Sequence, residues 1–316
     1  MPTLTIGDRT ARLPIIQGGM AVRISLSPLA SAVAQAGGVG VIAGSGLDPA
    51  ELTAELHAAR AATNGVIGVN IMVAVRRFKE LVQTAMREGA DLIIAGAGFS
   101  RDIFGWGKET GVPVVPIVGS VRVAQLAERF GAAAVVVEGV EAGGHLGTDR
   151  PMRELLPEII ESVDIPVIGA GGVVTGGDIK EVLDLGAAGV QMGSRFAATV
   201  ESSASDAFKQ MYLDATESDI VLVSSPVGLP GRAIRSPLTE RLARGDYPKI
   251  ERCISCLKDC GKDYCIIDKL VKAQSGNVEE GLVFSGTSAA RIFDLPTVSE
   301  LMQRLVVEWR QAEEGV

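Results

Sequence analysis

Residues 167–172 read Val-Ile-Gly-Ala-Gly-Gly, and residues 186–194 read Gly-Ala-Ala-Gly-Val-Gln-Met-Gly-Ser. In each stretch a short apolar run ends in glycine, and a helix-like segment, Gly177–Leu185, lies between the two. Strands that are apolar at nearly every position are typical of a parallel sheet that is buried on both faces. The pair therefore predicts two successive strand–helix units of such a sheet.

The same unit recurs through the first two hundred residues. The eight candidate strands are Leu13–Gln17, Gly40–Ala43, Ile67–Ile71, Leu92–Ala95, Val114–Val118, Ala134–Val137, Pro166–Ile168 and Gly189–Met192. The helical segments between them include Pro49–Ala62 with Asp48 as its N-cap, Arg76–Glu88, Val121–Phe130, Arg153–Ser162 and Gly177–Leu185. Eight such units predict an α/β fold, the (β/α)8 TIM barrel. An open, doubly wound sheet is the main alternative, but it usually has fewer strands.

The strand–helix rhythm stops near Glu201. Beyond it, Ser202–Thr216 is predicted as a helix and Ile220–Ser225 as one further strand, and Pro226–Pro237 is rich in proline and glycine. We expect two parts, a barrel over residues 1–200 and a smaller C-terminal lobe over residues 201–316. The lobe contains all the cysteines and is expected to cover the barrel mouth.

Composition and charge restrict the class of protein. Hydrophobic residues make up 47% of the 316 residues and aromatic residues only 4%, so a large core of Ala, Val, Ile and Leu is expected. The net charge of −8 disfavours nucleic acid and anionic membranes as partners, because both bind basic surfaces. The first residues do not resemble a secretory signal, and no apolar run has the roughly 18 to 20 residues of a membrane span. We expect a cytoplasmic protein with a small-molecule substrate, and the sequence leaves a homodimer open.

Two loops carry candidate chemistry to the barrel mouth. Glycines after the seventh and eighth strands allow backbone N–H groups to approach an anion, which predicts a phosphorylated ligand. The loop after the sixth strand, Glu138-Gly-Val-Glu-Ala-Gly-Gly-His-Leu-Gly147, carries a carboxylate and a histidine. Imidazole suits proton transfer near neutral pH, so His145 is the candidate catalytic residue. The only other histidine, His57, lies within an Ala/Glu/Arg helix and is interpreted as a surface residue.

Six motifs in a fixed order make the resemblance to a family specific. They are Pro14-Ile-Ile-Gln-Gly-Gly-Met-Ala21, Gly68-Val-Asn-Ile-Met72, Ala95-Gly-Ala-Gly98, Glu138-Gly-Val-Glu-Ala-Gly-Gly-His145, Gly169-Ala-Gly-Gly172 and Gln191-Met-Gly-Ser-Arg195. The series resembles the flavin-dependent superfamily of nitronate monooxygenase (2-nitropropane dioxygenase) and the flavin-type enoyl-acyl carrier protein reductase. The resemblance covers roughly the first 200 residues. A later segment, residues 276–286, also resembles a family segment near the site.

The resemblance implies an FMN-containing barrel whose catalytic histidine is His145. The FMN phosphate would be held by Gly171, Gly172, Gly193 and Ser194. The flavin ring would lie near Gly18, Gly19, Met20, Asn70, Glu138 and Gln191, with Gly143 and Gly144 also at the cofactor. Ser194 stands where a threonine is common in the family, and either hydroxyl can bind phosphate.

The barrel motifs are shared by two chemistries. In a nitronate oxidiser, the first expectation, His145 would remove an α-proton or hold the anionic substrate, and oxygen would be the final acceptor. In an enoyl-thioester reductase, the alternative, NAD(P)H would be the original electron donor. An NAD(P)H:quinone reductase and a non-catalytic flavin or metal redox sensor are further alternatives.

The four cysteines form a separate candidate site. Cys253, Cys256, Cys260 and Cys265 have the spacing C-x2-C-x3-C-x4-C and are the only cysteines in the chain. Four thiolates match the ligand number of an iron–sulfur cluster or a zinc site. We predict a metal centre, with [4Fe–4S] favoured over zinc. Four unligated thiols are the alternative.

Overall fold

The computed structural model describes residues 1–315. Its strands are β1 (Leu4–Ile6), β2 (Arg9–Ala11), β3 (Ile15–Gln17), β4 (Val39–Ala43), β5 (Val66–Met72), β6 (Leu92–Gly96), β7 (Val114–Val118), β8 (Val135–Glu138), β9 (Gly144–His145), β10 (Val167–Ala170), β11 (Gly189–Met192), β12 (Ile220–Val223) and β13 (Gly231–Ile234). Its helices are α1 (Ser27–Gln35), α2 (Pro49–Ala62), α3 (Phe78–Arg87), α4 (Asp102–Thr110), α5 (Val121–Phe130), α6 (Met152–Ile160), α7 (Gly176–Asp184), α8 (Ser194–Ala197), α9 (Asp206–Asp214), α10 (Pro237–Ala243), α11 (Ile266–Gln274) and α12 (Val298–Glu314).

Eight parallel strands close into a barrel in the order β3, β4, β5, β6, β7, β8, β10, β11. The ring is complete because β11 pairs with β3, with Gln191 opposite Ile16. This closure confirms the predicted (β/α)8 TIM barrel and excludes an open sheet. The predicted bounds of the barrel strands and helices agree with the structure to within two residues. Asp48 caps α2 as predicted, since its side chain accepts a hydrogen bond from the backbone of Glu51.

The amino-terminal hairpin of β1 and β2 packs against the barrel interior. Leu4 and Ile6 are almost fully buried and belong to one apolar cluster with inward residues of the barrel strands, among them Ile16, Leu92 and Val136. The hairpin lies at the amino-terminal ends of the strands, beside Pro14 and Gly189. It therefore leaves the carboxyl ends uncovered, where the active sites of such barrels lie. The sequence patterns did not predict the hairpin.

The chain after β11 first leaves the barrel and then returns to it. β12, β13 and β9 form a small antiparallel sheet, in which β9 comes from the loop after β8. Helix α12 packs against α7 and α1, and the backbone N–H of Gly176 donates to the Glu308 carboxylate at 2.7 Å. The division of the chain at residue 200 into a barrel and a C-terminal lobe stays a prediction. Helix α12, which belongs to the predicted lobe, lies in the helical layer of the barrel. Among the described residues, no helix is both long enough and apolar enough to span a bilayer.

Candidate functional site

A cavity of about 240 Å³ lies at the carboxyl ends of the barrel strands. The loops after β3, β6, β8, β10 and β11 line it, together with Asn70 and Met72 of β5 and residues from the C-terminal segment 282–289. The cavity brings together all the predicted catalytic and cofactor-binding residues, namely Gly18, Gly19, Met20, Asn70, Glu138, Gly143, Gly144, His145, Gly171, Gly172, Gln191, Gly193 and Ser194. Their individual roles stay predictions, but their convergence at one place is a property of the fold.

His145 is held by backbone pairing and by one side-chain contact. Strand β9 places it opposite Gly231 of β13, and its Nε2 lies 2.8 Å from the hydroxyl of Ser225. The ring also meets the Phe284 ring edge-on, with 5.1 Å between the ring centres. Burial disfavours the imidazolium form and lowers the pKa of His145 to about 4. The imidazole is therefore neutral at neutral pH.

Glu138 is the last residue of β8 and lines the same cavity. Burial disfavours its carboxylate and raises the pKa of Glu138 to about 7. Within residues 1–315, no lysine or arginine lines this cavity to offset a negative charge. The cavity therefore holds a neutral imidazole and a carboxyl group that is protonated in part at neutral pH, beside Glu141, whose Oε2 accepts a hydrogen bond from the backbone N–H of Met152.

The glycine loops leave backbone exposed at one end of the cavity. Gly171 and Gly172 have φ values of +113° and +74°, a conformation that residues with a Cβ rarely adopt. A Cβ on Gly193 would meet only the sulfur of Met20, at 4.0 Å, so there is open space beside this backbone. The hydroxyl of Ser194 accepts a hydrogen bond from the backbone N–H of Gly286 at 2.8 Å. This end of the cavity can accommodate a phosphate group.

Unpartnered polar atoms mark the rest of the cavity as a binding site. Gln191 Oε1 and Ser285 Oγ are buried, line the cavity and have no hydrogen-bond partner within the described residues. Buried polar atoms of folded proteins are rarely left unpaired. A ligand with hydrogen-bonding groups would supply the missing partners, and a flavin has such groups on its ring. Together with the open space beside Gly193, these unpartnered polar atoms fit a flavin mononucleotide.

Of the cavity-lining residues that come from the C-terminal part of the chain, only those within residues 276–286 were predicted from the sequence. Phe284, Ser285 and Gly286 line the cavity, as the resemblance of that segment implied. Tyr212 also lines it, and its hydroxyl donates to the carbonyl oxygen of Phe284 at 2.5 Å. Ser225 was missed as well, because its contact with His145 joins residues 80 positions apart. A hydroxyl beside a histidine carries no local sequence signal.

The predicted metal centre is not supported by the arrangement of the cysteine side chains. Within residues 1–315, no group of three or more His, Cys, Asp or Glu side chains is arranged to hold a metal ion. Cys253 and Cys260 are exposed, whereas Cys256 and Cys265 are half-buried. All four nevertheless line one cavity, and the pKa of the Cys256 thiol is raised by burial and by the neighbouring Cys265. Their proximity was therefore predicted correctly, but a ligating geometry is not present.

Relatives and solved structures resemble most of the chain. A protein of Mycobacterium tuberculosis named (3aS,4S,5R,7aS)-5-hydroxy-7a-methyl-1-oxo-octahydro-1H-indene-4-carboxyl-CoA dehydrogenase is 31% identical over 93% of this chain and 92% of its own length. A probable nitronate monooxygenase of Staphylococcus aureus is 28% identical over 74% of this chain and 79% of its own length. The structure of FabK from Thermotoga maritima has a TM-score of 0.88 and 31% identity, covering 96% of this chain and 95% of that chain.

The sequence profile of the nitronate monooxygenase family matches residues 5–87 and 73–308. These ranges contain the barrel, the glycine loops, His145 and the C-terminal segment that lines the cavity. The names of the matching family and of the Mycobacterium tuberculosis relative, a monooxygenase and a dehydrogenase, are those of oxidoreductases. This chain is an enzyme that belongs to the nitronate monooxygenase family.

Proposed function

We propose that the protein is an FMN-dependent oxidoreductase whose substrate is an acyl thioester, with a neutral carbonyl as the reacting group. The observation that carries this proposal is the charge of the cavity. Its ionisable side chains include a neutral His145 and a partly protonated Glu138, and it has no lysine or arginine among the described residues. Apart from the glycine-loop backbone that would hold the FMN phosphate, an anionic reacting group would lack a cationic side chain here, whereas the neutral carbonyl of a thioester would not require one.

FMN is proposed because the cavity has matching features at both ends. The backbone of Gly171, Gly172 and Gly193 with the Ser194 hydroxyl would hold the phosphate. Gln191 Oε1, which is buried without a partner, would accept a hydrogen bond from the ring. When bound, the flavin supplies hydride transfer to or from the carbon skeleton of the substrate.

The protein's own groups would supply the proton. Reduction or formation of a carbon–carbon double bond beside a carbonyl group moves one proton at the α-carbon together with a hydride at the β-carbon. The neutral His145 can accept that proton or bind the carbonyl oxygen through a ring N–H, and the contact with Ser225 fixes the orientation of the ring. A protonated Glu138 can act as a proton donor at the same pH.

The relatives support a thioester, and one of them supports a second candidate. The Mycobacterium tuberculosis relative is named for a carboxyl-CoA substrate and aligns over most of the chain. NAD(P)H would be the electron donor in the reductive direction. Nitronate oxidation is the second candidate, because the family profile and the Staphylococcus aureus relative carry that name. From a neutral nitroalkane, the neutral His145 would remove the α-proton and so form the nitronate; with a nitronate supplied, it would instead hold the anionic substrate.

The test combines cofactor identification with a substrate panel. Heat-released cofactor should chromatograph as FMN, and FAD or no flavin would contradict the proposed cofactor. Crotonyl-CoA with NADH or NADPH, and propyl-2-nitronate with oxygen, should then be compared by kcat/KM. We expect the thioester to exceed the nitronate by about tenfold or more. The reverse order would establish the second candidate, and a His145→Ala variant controls for free-flavin chemistry.

A further inference from the structure

A second cavity, of about 340 Å³, is lined by Arg76 and by residues of the segment 250–266. It shares no lining residue with the flavin cavity, and its volume falls within the roughly 300 to 1,000 Å³ of small-molecule sites. The charged side chains of its lining are those of Arg76, Lys258, Lys262 and Asp259. Three cations therefore face one carboxylate here, in a chain whose net charge is −8.

The cations of the second cavity are not neutralised within the protein. The Arg76 guanidinium donates to the carbonyl oxygen of Leu257 at 3.4 Å, and the Lys258 ammonium donates to that of Val73 at 2.6 Å. Neither these two side chains nor Lys262 forms an ion pair with a carboxylate of the described residues. The cavity can therefore receive an anion through charge-assisted hydrogen bonds.

Two segments of the chain run from the flavin cavity to the second cavity. Met72 lines the first and Arg76 lines the second, and four residues of extended chain span at most about 14 Å. Leu270 lines the first and Ile266 lines the second, and these positions of α11 are about 6 Å apart along the helix axis. The two cavities are therefore close neighbours.

The second cavity also adjoins the residue that contacts the histidine of the flavin cavity. Tyr264, which lines the second cavity, donates from its hydroxyl to the carbonyl oxygen of Ser224 at 2.8 Å. The backbone N–H of Gly261 donates to the carbonyl oxygen of Pro226 at 2.8 Å. These two bonds flank Ser225, the hydrogen-bond partner of that histidine. The second cavity thus lies on the histidine side of the flavin cavity.

We propose that the second cavity binds the phosphate groups of coenzyme A. The inference rests on the proposed thioester substrate, because coenzyme A carries its acyl group at the far end of a long pantetheine arm. The arm would place the phosphates beside Arg76, Lys258 and Lys262 while the thioester lies beside His145. Ile254, which lines the second cavity and is 57% exposed, offers an apolar surface to the adenine base. The neutral acyl end and the anionic carrier end of the substrate would then match the charges of the two cavities.

Two other carriers of such phosphate groups fit these observations less well. NADP(H) bears the same adenosine phosphates, but only one ribose joins its nicotinamide to the diphosphate, so it has no long arm to pass between two separate cavities. An acyl carrier protein is acidic and requires a broad basic face. Residues 245–264 carry four acidic and four basic side chains, so the positive excess is confined to the cavity. Both features favour coenzyme A.

The binding test uses the full-length, FMN-loaded protein and calorimetry with coenzyme A, pantetheine and NADP⁺. We expect coenzyme A to bind at least about tenfold more tightly than pantetheine, and to bind more weakly as the salt concentration rises. The double variant Arg76→Gln/Lys262→Gln should lose about tenfold in affinity for coenzyme A and none for pantetheine. Arg77→Gln is the matched control and should bind coenzyme A as the wild type does, because Arg77 pairs with Glu80 at 2.7 Å and does not line the cavity.

Turnover separates this inference from the proposed function. In the double variant the KM for crotonyl-CoA should rise with kcat unchanged, whereas both constants for crotonyl-pantetheine should equal those of the wild type. Turnover of crotonyl-CoA with the same KM in both proteins would overturn the phosphate site and leave the proposed reaction intact. Coenzyme A bound as expected, without thioester turnover, would refute the reaction and support the site.

The remaining outcomes concern the identity of the ligand. Coenzyme A that binds no more tightly than pantetheine would overturn the proposal. If NADP⁺ binds more tightly than coenzyme A and the double variant loses that binding, the cavity is a nucleotide site of the electron donor, and the proposal is overturned. Binding of an acyl carrier protein that the double variant loses, with no binding of free coenzyme A, would overturn it in favour of a protein carrier.

Discussion

Glu138→Gln should change the pH dependence of stability in a predictable direction. The folded pKa of Glu138 is about 7, against an ordinary value of 4.5, because the carboxyl group is buried without a cationic partner. Between these two pH values the folded protein retains a proton that the unfolded chain has lost. The stability that this proton contributes is fully present below pH 4.5 and is lost as the pH rises through 7.

The magnitude follows from the size of the pKa shift. A rise from 4.5 to about 7 corresponds to about 3 kcal/mol, at 1.36 kcal/mol per pKa unit. About 2 kcal/mol of this falls between roughly pH 5.5 and pH 8. Glutamine cannot ionise, so the variant should not show this loss. As the pH rises over that interval, the difference between the free energy of unfolding of the variant and that of the wild type should therefore shift by about 2 kcal/mol in favour of the variant.

The assay is urea unfolding of flavin-free protein at the two pH values. Glu154→Gln is the matched control, because its side chain is 63% exposed on α6 and the substitution removes one carboxylate from the same region. The control should follow the wild type at both pH values. If Glu138→Gln also follows the wild type within error, the carboxyl group of Glu138 does not have the raised pKa, and the proposed proton donor loses its basis.

Three further predictions concern the cavity. His145→Ala should retain flavin but lose about a hundredfold or more in kcat if the imidazole transfers a proton, and an unchanged kcat with a raised KM would restrict it to substrate binding. Ser225→Ala removes one hydrogen bond between neutral groups, worth about 1 kcal/mol, so kcat/KM should fall about fivefold; a loss as large as that of His145→Ala would show that Ser225 takes part in the chemistry. Gly193→Val should fold normally, because its φ of −101° is accessible to other residues and a Cβ there meets open space. The flavin content per chain of Gly193→Val should fall sharply. Gly105→Val, a substitution on α4 that also meets open space, should keep full flavin content. Full flavin occupancy in Gly193→Val would show that the phosphate does not bind beside Gly193.

The barrel could be predicted because its signals are local. Seven of the eight barrel strands are short apolar runs that end in glycine or are followed by it, β5 being the exception, and the strands Val114–Val118 and Gly189–Met192 agree with the structure at both ends. Helix α4 escaped prediction because it contains Gly105 and Gly107, which favour helix poorly. Gly107 is retained there for packing, since a Cβ on it would lie 2.7 Å from the side chain of Val114.

The site could be predicted only as far as it follows from the barrel topology. Parallel strands end at one face, so Glu138, Gln191 and the glycine loops had to converge once the barrel was correct. The neighbours of His145 come from β13 and from Ser225, and their positions depend on a small sheet that joins distant segments. The pKa values of His145 and Glu138 are shifted by their burial in the folded protein, and the spacing of residues in the sequence does not reveal that burial.

The return of α12 to the barrel constrains how the chain folds during synthesis. Until residues 298–314 have left the ribosome, the surfaces of α7 and α1 that α12 covers remain exposed to solvent. These contacts join α1 to a helix about 270 residues later in sequence, and such long loop closures slow folding. Nascent chains that already contain all eight barrel strands should therefore still bind chaperones and be cut by proteases, and both susceptibilities should end only when the last helix docks.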